Sequence, residues 1–282
     1  MRFCERLTTA LISATAIVMV QPYIAVALTP NQVNEIAKGI TVLIDGQYPG
    51  SGIIIARKKN TYYVLTAAHV VATEDKYEVV TFDNRRYAVN YGTVRKLPGI
   101  DLAVLNFSSN QSYSISQLGN SEQVSEGSTV YTSGWANPGS QIRQRVRQFT
   151  SGQVSARPPK ALADGYDLVY TNITRAGMSG GPVLDENGRL VGIHGRTEGD
   201  ASSQGEIAVN GKVGFNLGIP INTFVSVAKK AAIDLGLQTT YSAPVLQTPS
   251  SSFLPTTTST GRPKVIPGSG GASADACPGR HC

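Results

Sequence analysis

The 282-residue chain is poor in cysteine and in histidine, with three of each, and it has no long apolar run after its first thirty residues. Each shortage excludes something. Cys4 stands in the leader described below, so only Cys277 and Cys282 remain, both at the far end, and disulfides do not staple the core. The fold must hold by burial, which about 200 residues can manage. The terminal stretch "CPGRHC" could close a small loop through a Cys277–Cys282 disulfide, or the two cysteines could pair between chains. Two cysteines and one histidine are too few for a metal site. No segment after the leader is apolar enough to span a bilayer, so stable membrane insertion is not expected once the leader is gone. Lys and Arg number 25 against 19 Asp and Glu, a mild basic excess. With no aromatic-interleaved basic run and no phosphate-cradling glycine loop, nucleic acid is not an expected partner.

What is present begins with a leader. Arg2 and Arg6 give a positive start, an apolar run follows from about Ala10 to Val20, and Ala25-Val26-Ala27 supplies small residues for a peptidase cut. This pattern reads as a secretory signal peptide over 1–27, which places the rest of the chain in the medium or the periplasm. Removing Arg2, Glu5 and Arg6 leaves 23 basic against 18 acidic residues. Residues 28–238 read as one folded domain. A short helix is expected over 30–38, with Thr29 as its cap, Pro30 in its first turn and Val33, Ile36 and Ala37 on one face. From about Gly39 to Leu217, short β-rich runs such as Ile40–Ile44, Gly52–Ala56, Tyr62–Thr66, Leu102–Phe107 and Leu190–His194 alternate with Gly, Asn, Asp and Ser. That spacing predicts an all-β sandwich or barrel. Residues 221–235 return to helical spacing. Residues 239–282 are a Ser/Thr/Pro/Gly tail too poor in apolar surface to offset the entropy of ordering it, so disorder is expected there.

The chemistry rests on few residues. His281 lies in the tail, leaving His69 and His194 in the folded part. His69 ends the strand-like run "TYYVLTAAHVV", at a position where an imidazole can stand at a cleft. Asp101 follows in "LPGIDLAVLNF"; a carboxylate directly before a buried strand is costly unless it has a partner. Ser179 lies in "RAGMSGGP", where flanking glycines permit a sharp turn that exposes the hydroxyl. The same turn leaves the Gly177 and Ser179 amides free to converge on one point, as a tetrahedral oxyanion requires.

"LTAAHV", "DLAVL" and "GMSGGPV", in that order, resemble the His, Asp and Ser blocks of the trypsin-like (chymotrypsin-fold) serine peptidases. The resemblance spans about residues 40–220. It implies two six-stranded antiparallel Greek-key β-barrels, one over about 39–118 and the other over about 119–220, with a C-terminal helix over 221–235 packed back on them. It also implies a serine endopeptidase acting on protein or peptide substrates without metal or organic cofactor. By carry-over, Ser179 is the nucleophile, His69 the general base and Asp101 its orienting partner, with the Gly177 and Ser179 amides as the oxyanion hole.

The departures from the digestive members are informative. Met178 stands where those enzymes carry an aspartate, so their amine-triggered activation switch is not expected. Bacterial relatives of the HtrA and glutamyl endopeptidase types also lack that aspartate. In the glutamyl endopeptidases a Thr or Ser and a His at places matching Thr174 and His194 bind a substrate carboxylate, which implies cleavage after Glu or Asp. The alternative for His194 is an interior strand residue. Arg143, Arg145 and Arg147 alternate and are expected on a solvated strand face that resists edge pairing. An HtrA-like quality-control protease is the alternative enzyme, although the tail is too short and too polar for the PDZ domains usual in that type. A binding protein that has kept a peptidase scaffold is the alternative from another class.

Overall fold

The computed structural model describes residues 27–197, 215–233, 235 and 237. The signal sequence, the tail and the Cys277–Cys282 pair lie outside the described residues. The first element, α1 (Pro30–Ile40), starts where local chemistry says it should. Gln32 donates its amide to the Thr29 hydroxyl, while the Gln32 side chain reaches back to the Thr29 amide at 2.8 Å. This reciprocal cap satisfies two N–H groups that would otherwise lack partners. Val33, Ala37 and Ile40 recur at helical spacing and are buried.

Seven strands follow: β1 (Thr41–Asp45), β2 (Gly50–Lys58), β3 (Thr61–Ala67), β4 (Glu78–Val80), β5 (Arg86–Ala88), β6 (Arg95–Lys96) and β7 (Leu102–Ser108). They form one antiparallel sheet in the order β5-β4-β1-β2-β3-β7-β6. The second half contains β8 (Thr129–Ala136), β9 (Val146–Ala156), β10 (Leu168–Tyr170), β11 (Pro182–Leu184), β12 (Leu190–Thr197) and β13 (Asn216–Pro220), which close into a six-stranded barrel in the order β10-β13-β12-β11-β8-β9. Helix α2 (Ile221–Lys230) continues directly from β13.

This corrects the expectation of two six-stranded barrels. Only the second half closes; the first is an open seven-stranded sheet. Its outer strands are too short to close a ladder, with three residues in β5 and two in β6. Aromatic rings fill the gap instead. Tyr87 of β5 stacks on Phe107 of β7 with centroids 4.8 Å apart, and Phe107 stacks on Tyr62 at 5.2 Å. Tyr113 closes over them edge-on to Tyr62. Edge strand β5 and the stretch of β7 that β6 leaves unpaired therefore meet through side chains, and ring packing replaces backbone hydrogen bonds there.

One apolar cluster joins the halves. It contains Val33, Ala37 and Ile40 from α1, Ile53 and Leu65 from the open sheet, Tyr131, Leu184 and Leu190 from the barrel, and Phe224 from α2. Each fully buried Leu, Ile or Phe contributes about 1.5–3 kcal/mol relative to exposure. The cluster thus fixes how the halves sit, and with them the groove between them. No helix among the described residues is long and apolar enough to cross a membrane.

Candidate active site

Strand register brings His69 and Asp101 together across 32 residues of sequence. β3 pairs with β7 from Thr61 opposite Ser108 to Ala67 opposite Leu102. The residues just past that end of the ladder are therefore neighbours: the Ala68 amide donates to the Asp101 carbonyl at 3.1 Å. One turn of 3₁₀ helix (Ala68–Val71) then aims the imidazole back. Asp101 accepts the His69 backbone amide on Oδ1 at 2.9 Å, and Oδ2 lies 2.6 Å from His69 Nδ1. Asp101 is 7 % exposed, the imidazole 41 %. Burial by itself raises the Asp101 pKa. The hydrogen bond and charge of His69, and then the Tyr166 hydroxyl, outweigh it and bring the carboxyl down to about 2. The carboxylate is thus ionised at neutral pH and fully engaged.

Ser179 enters from the barrel. The turn between β10 and β11 is tied down through its carbonyls. The Asn137 amide binds the Ala176 carbonyl at 2.8 Å, the Ser51 hydroxyl binds that of Gly177 at 2.8 Å, and the Ser51 amide binds that of Ser179 at 2.8 Å. In a trans peptide the N–H points opposite the carbonyl of the same peptide unit, so the Gly177 amide faces away from the held Ala176 carbonyl, and the Ser179 amide faces away from the Met178 carbonyl, which the Gly181 amide binds at 3.0 Å. Among the described residues, neither the Gly177 nor the Ser179 amide has a hydrogen-bond partner, and both residues line a cavity of about 370 Å³ that also holds His69. Gly177 has φ +93°, and a Cβ there would meet Asn137 Oδ1 at 2.5 Å and the Trp135 carbonyl at 2.6 Å, so only glycine fits. A larger cavity of about 610 Å³ runs beside α2, and among the described residues its only titratable lining residue is Lys229. The smaller cavity is the one with chemistry in it.

The structure therefore brings His69 and Asp101 into contact and sets Ser179 and Gly177 in the same cavity as the imidazole. It places the other expected residues elsewhere. His194 is 2 % exposed, with Nδ1 on the Tyr170 hydroxyl at 2.6 Å. Thr174 gives its hydroxyl to Asn216 of β13 and lies 3.5 Å from the Thr197 hydroxyl. Met178 is fully buried against the backbone of Gly134 on β8. Arg147 does not sit on a solvated edge: β9 is paired on both sides in the closed barrel, and the guanidinium spans from Ser133 to Asn34 of α1, each at 2.8 Å.

Three residues escaped the sequence reading. Ser51 supports the serine turn, while Tyr166 and Arg196 both reach the Asp101 carboxylate. For Ser51 the only signal was its place in a "GSG" run; Tyr166 and Arg196 meet Asp101 solely through tertiary packing.

The family model for the trypsin-like peptidase domain matches residues 50–193, half of the chain, and that span contains Ser51, His69, Asp101, Tyr166, Gly177 and Ser179. The chain belongs to the trypsin-like peptidase family. Similar relatives of this peptidase domain include a Lactobacillus helveticus protein described as serine protease Do-like HtrA, 26% identical over 186 residues, covering 64% of this chain and 42% of that protein. Another is a Pseudomonas putida protein described as probable periplasmic serine endoprotease DegP-like, 30% identical over 192 residues, covering 67% of this chain and 36% of that protein. The chain spans less than half the length of these relatives. Among solved structures, the HtrA-type protease AlgW with tripeptide matches with a TM-score of 0.58 at 23% identity, covering 74% of this chain and 65% of that one, a likeness of fold.

Proposed function

We propose that the trypsin-like domain, residues 28–238, is a serine endopeptidase of HtrA-related type that hydrolyses peptide bonds in protein or peptide substrates. The observation that carries this reading is the 2.6 Å contact between His69 Nδ1 and a buried, ionised Asp101, with Ser179 on the same cavity. In this mechanism His69 takes the Ser179 hydroxyl proton as Oγ attacks the substrate carbonyl. The oxygen, now negative, is received by the Gly177 and Ser179 amides. His69 then passes its proton to the leaving amine, and water repeats the sequence on the acyl-enzyme. Asp101 holds Nδ1 protonated, so that Nε2 is the basic nitrogen.

A fluorophosphonate probe tests the reading. It should label the parent protein and fail to label Ser179→Ala. Equal labelling of both, or of neither, would remove it in favour of a binding protein on a peptidase scaffold.

We place this activity outside the cytoplasm, in the periplasm or the medium. The signal-like leader over 1–27 and the relatives described as periplasmic support that placement. For specificity we infer a preference for cleavage after Glu or Asp. Its support is the polar group at one end of the barrel, where Thr174, Thr197 and Asn216 adjoin the Tyr170–His194 pair. Profiling on a peptide library should show acidic residues on the acyl side; a basic or apolar preference there would overturn it.

A further inference from the structure

The Asp101 carboxylate is engaged from two sides: the open sheet supplies His69, and the barrel supplies Tyr166 and Arg196. The Tyr166 hydroxyl donates to Oδ2 at 2.6 Å, the same oxygen that faces His69 Nδ1. Arg196 Nη2 reaches that oxygen at 3.2 Å and Asp164 Oδ2 at 3.2 Å, with its guanidinium 4.9 Å from the centre of the Tyr166 ring. The barrel loop that carries Tyr166 is itself docked here, since the Asp101 amide donates to the Asp164 carbonyl at 2.9 Å. Burial and the Asp101 charge raise the Tyr166 pKa, so the phenol keeps the proton it donates.

Gly195 admits this arrangement. A Cβ at residue 195 would lie 2.1 Å from the Tyr166 hydroxyl oxygen and 2.3 Å from the ring. No other residue leaves room for the phenol. Gly195 has no φ in the left-handed region, so space alone, not backbone conformation, calls for glycine at this position.

We propose that Tyr166 is a positioning residue for the Asp101–His69 pair, admitted to its place by Gly195 and held there by Arg196. The proposal rests on the reading of Asp101 as the partner of a catalytic imidazole. Two consequences follow from sharing one oxygen. The phenol fixes the carboxylate in the plane His69 needs. It also withdraws charge from that oxygen, so the carboxylate stabilises a positive charge on the imidazole less than a carboxylate without the phenol would. The charged and titratable groups around the pair are His69, Tyr166, Arg196 and Asp164, with Lys96 lining the same recess while bonded to the Ala72 carbonyl.

Tyr166→Phe removes the hydroxyl and keeps the ring, whereas Gly195→Ala keeps the hydroxyl and removes its place. Both variants are measured against the parent by kcat/KM as a function of pH, by histidine titration in proton NMR and by thermal unfolding. The His69 resonance is identified by its loss in His69→Ala. In both variants the acid limb of kcat/KM and the His69 titration midpoint should move up together by about half a pH unit or more, as expected when one charge-assisted hydrogen bond to the carboxylate is lost. The plateau of kcat/KM should fall about tenfold, the scale of one misaligned catalytic hydrogen bond. An unmoved His69 midpoint overturns the proposal, whether or not the melting temperature falls. The titration is independent of turnover. A shifted midpoint in a protein whose parent neither cleaves peptides nor takes the probe would sink the peptidase reading and leave the positioning role standing.

Discussion

Asp101 should make the stability of the fold depend on pH in a narrow acid window. Its carboxyl sits at about 2 in the folded protein against 3.8 ordinarily. A depressed folded-state pKa means that the ionised group stabilises the fold fully above the unfolded value and loses that contribution as pH falls through the folded value. The difference corresponds to about 2 kcal/mol at 1.36 kcal/mol per unit, and the side chain is 7 % exposed, so solvent screening takes little of it. About half should remain at pH 3 and only a few tenths of a kcal/mol at pH 2. The perturbation is Asp101→Asn, made in a Ser179→Ala background to prevent self-digestion. Urea unfolding is then followed from pH 5 down to pH 2. The gap in stability between the background protein and the Asp101→Asn variant should shrink by about 2 kcal/mol over this range. A gap that stays constant, or widens with acid, would refute the reasoning.

Gly177→Ala should cut kcat by about 10²–10³, because the Cβ can enter only by displacing the peptide whose amide faces the cavity; fluorophosphonate labelling should slow in parallel, and the melting temperature should fall as well, since the Cβ meets the Trp135 carbonyl at 2.6 Å and φ is +93°. Met178→Asp should lower the melting temperature sharply and not create an activation switch, since it puts a carboxylate into a fully buried site backed by Gly134; desolvating an unpaired charge costs several kcal/mol. Thr29→Ala should cost about 1 kcal/mol in urea unfolding through loss of the α1 cap.

How far these features were legible in the sequence depends on the range of the interactions. Helix α1, with Thr29, Pro30 and its apolar spacing, could be read locally because capping acts over three residues. Strands β2, β3, β7 and β12 were legible as apolar runs because they are buried on both faces. The eleven-residue β9, "VRQFTSGQVSA", was legible only at its start, and there as a solvated edge through Arg147, since its side chains are mostly half-exposed and only pairing with β8 and β10 holds it extended. The open first sheet was misjudged for a related reason. Nothing in the sequence near Arg86 or Arg95 says that ring stacking between Tyr87 and Phe107 will stand in for a ladder. His69, Asp101 and Ser179 could be picked out because each lies in a distinctive local setting. Tyr166 and Arg196 could not, because what makes them matter is the carboxylate they meet across the groove.

Helix α1 also sets how far the chain can be trimmed. Its buried face is shared by both halves, Arg147 of β9 grips Asn34, and the Leu28 amide is bonded to the Glu186 carbonyl at 3.1 Å. A cut just before Leu28 leaves all of this intact. A cut a few residues later would strip the cap from α1 and unseat the wedge between the halves, and with it the alignment of groups that approach Asp101 from opposite sides. In this molecule the amino-terminal helix is a strut between the two halves, and processing that respects the strut must stop at its upstream edge.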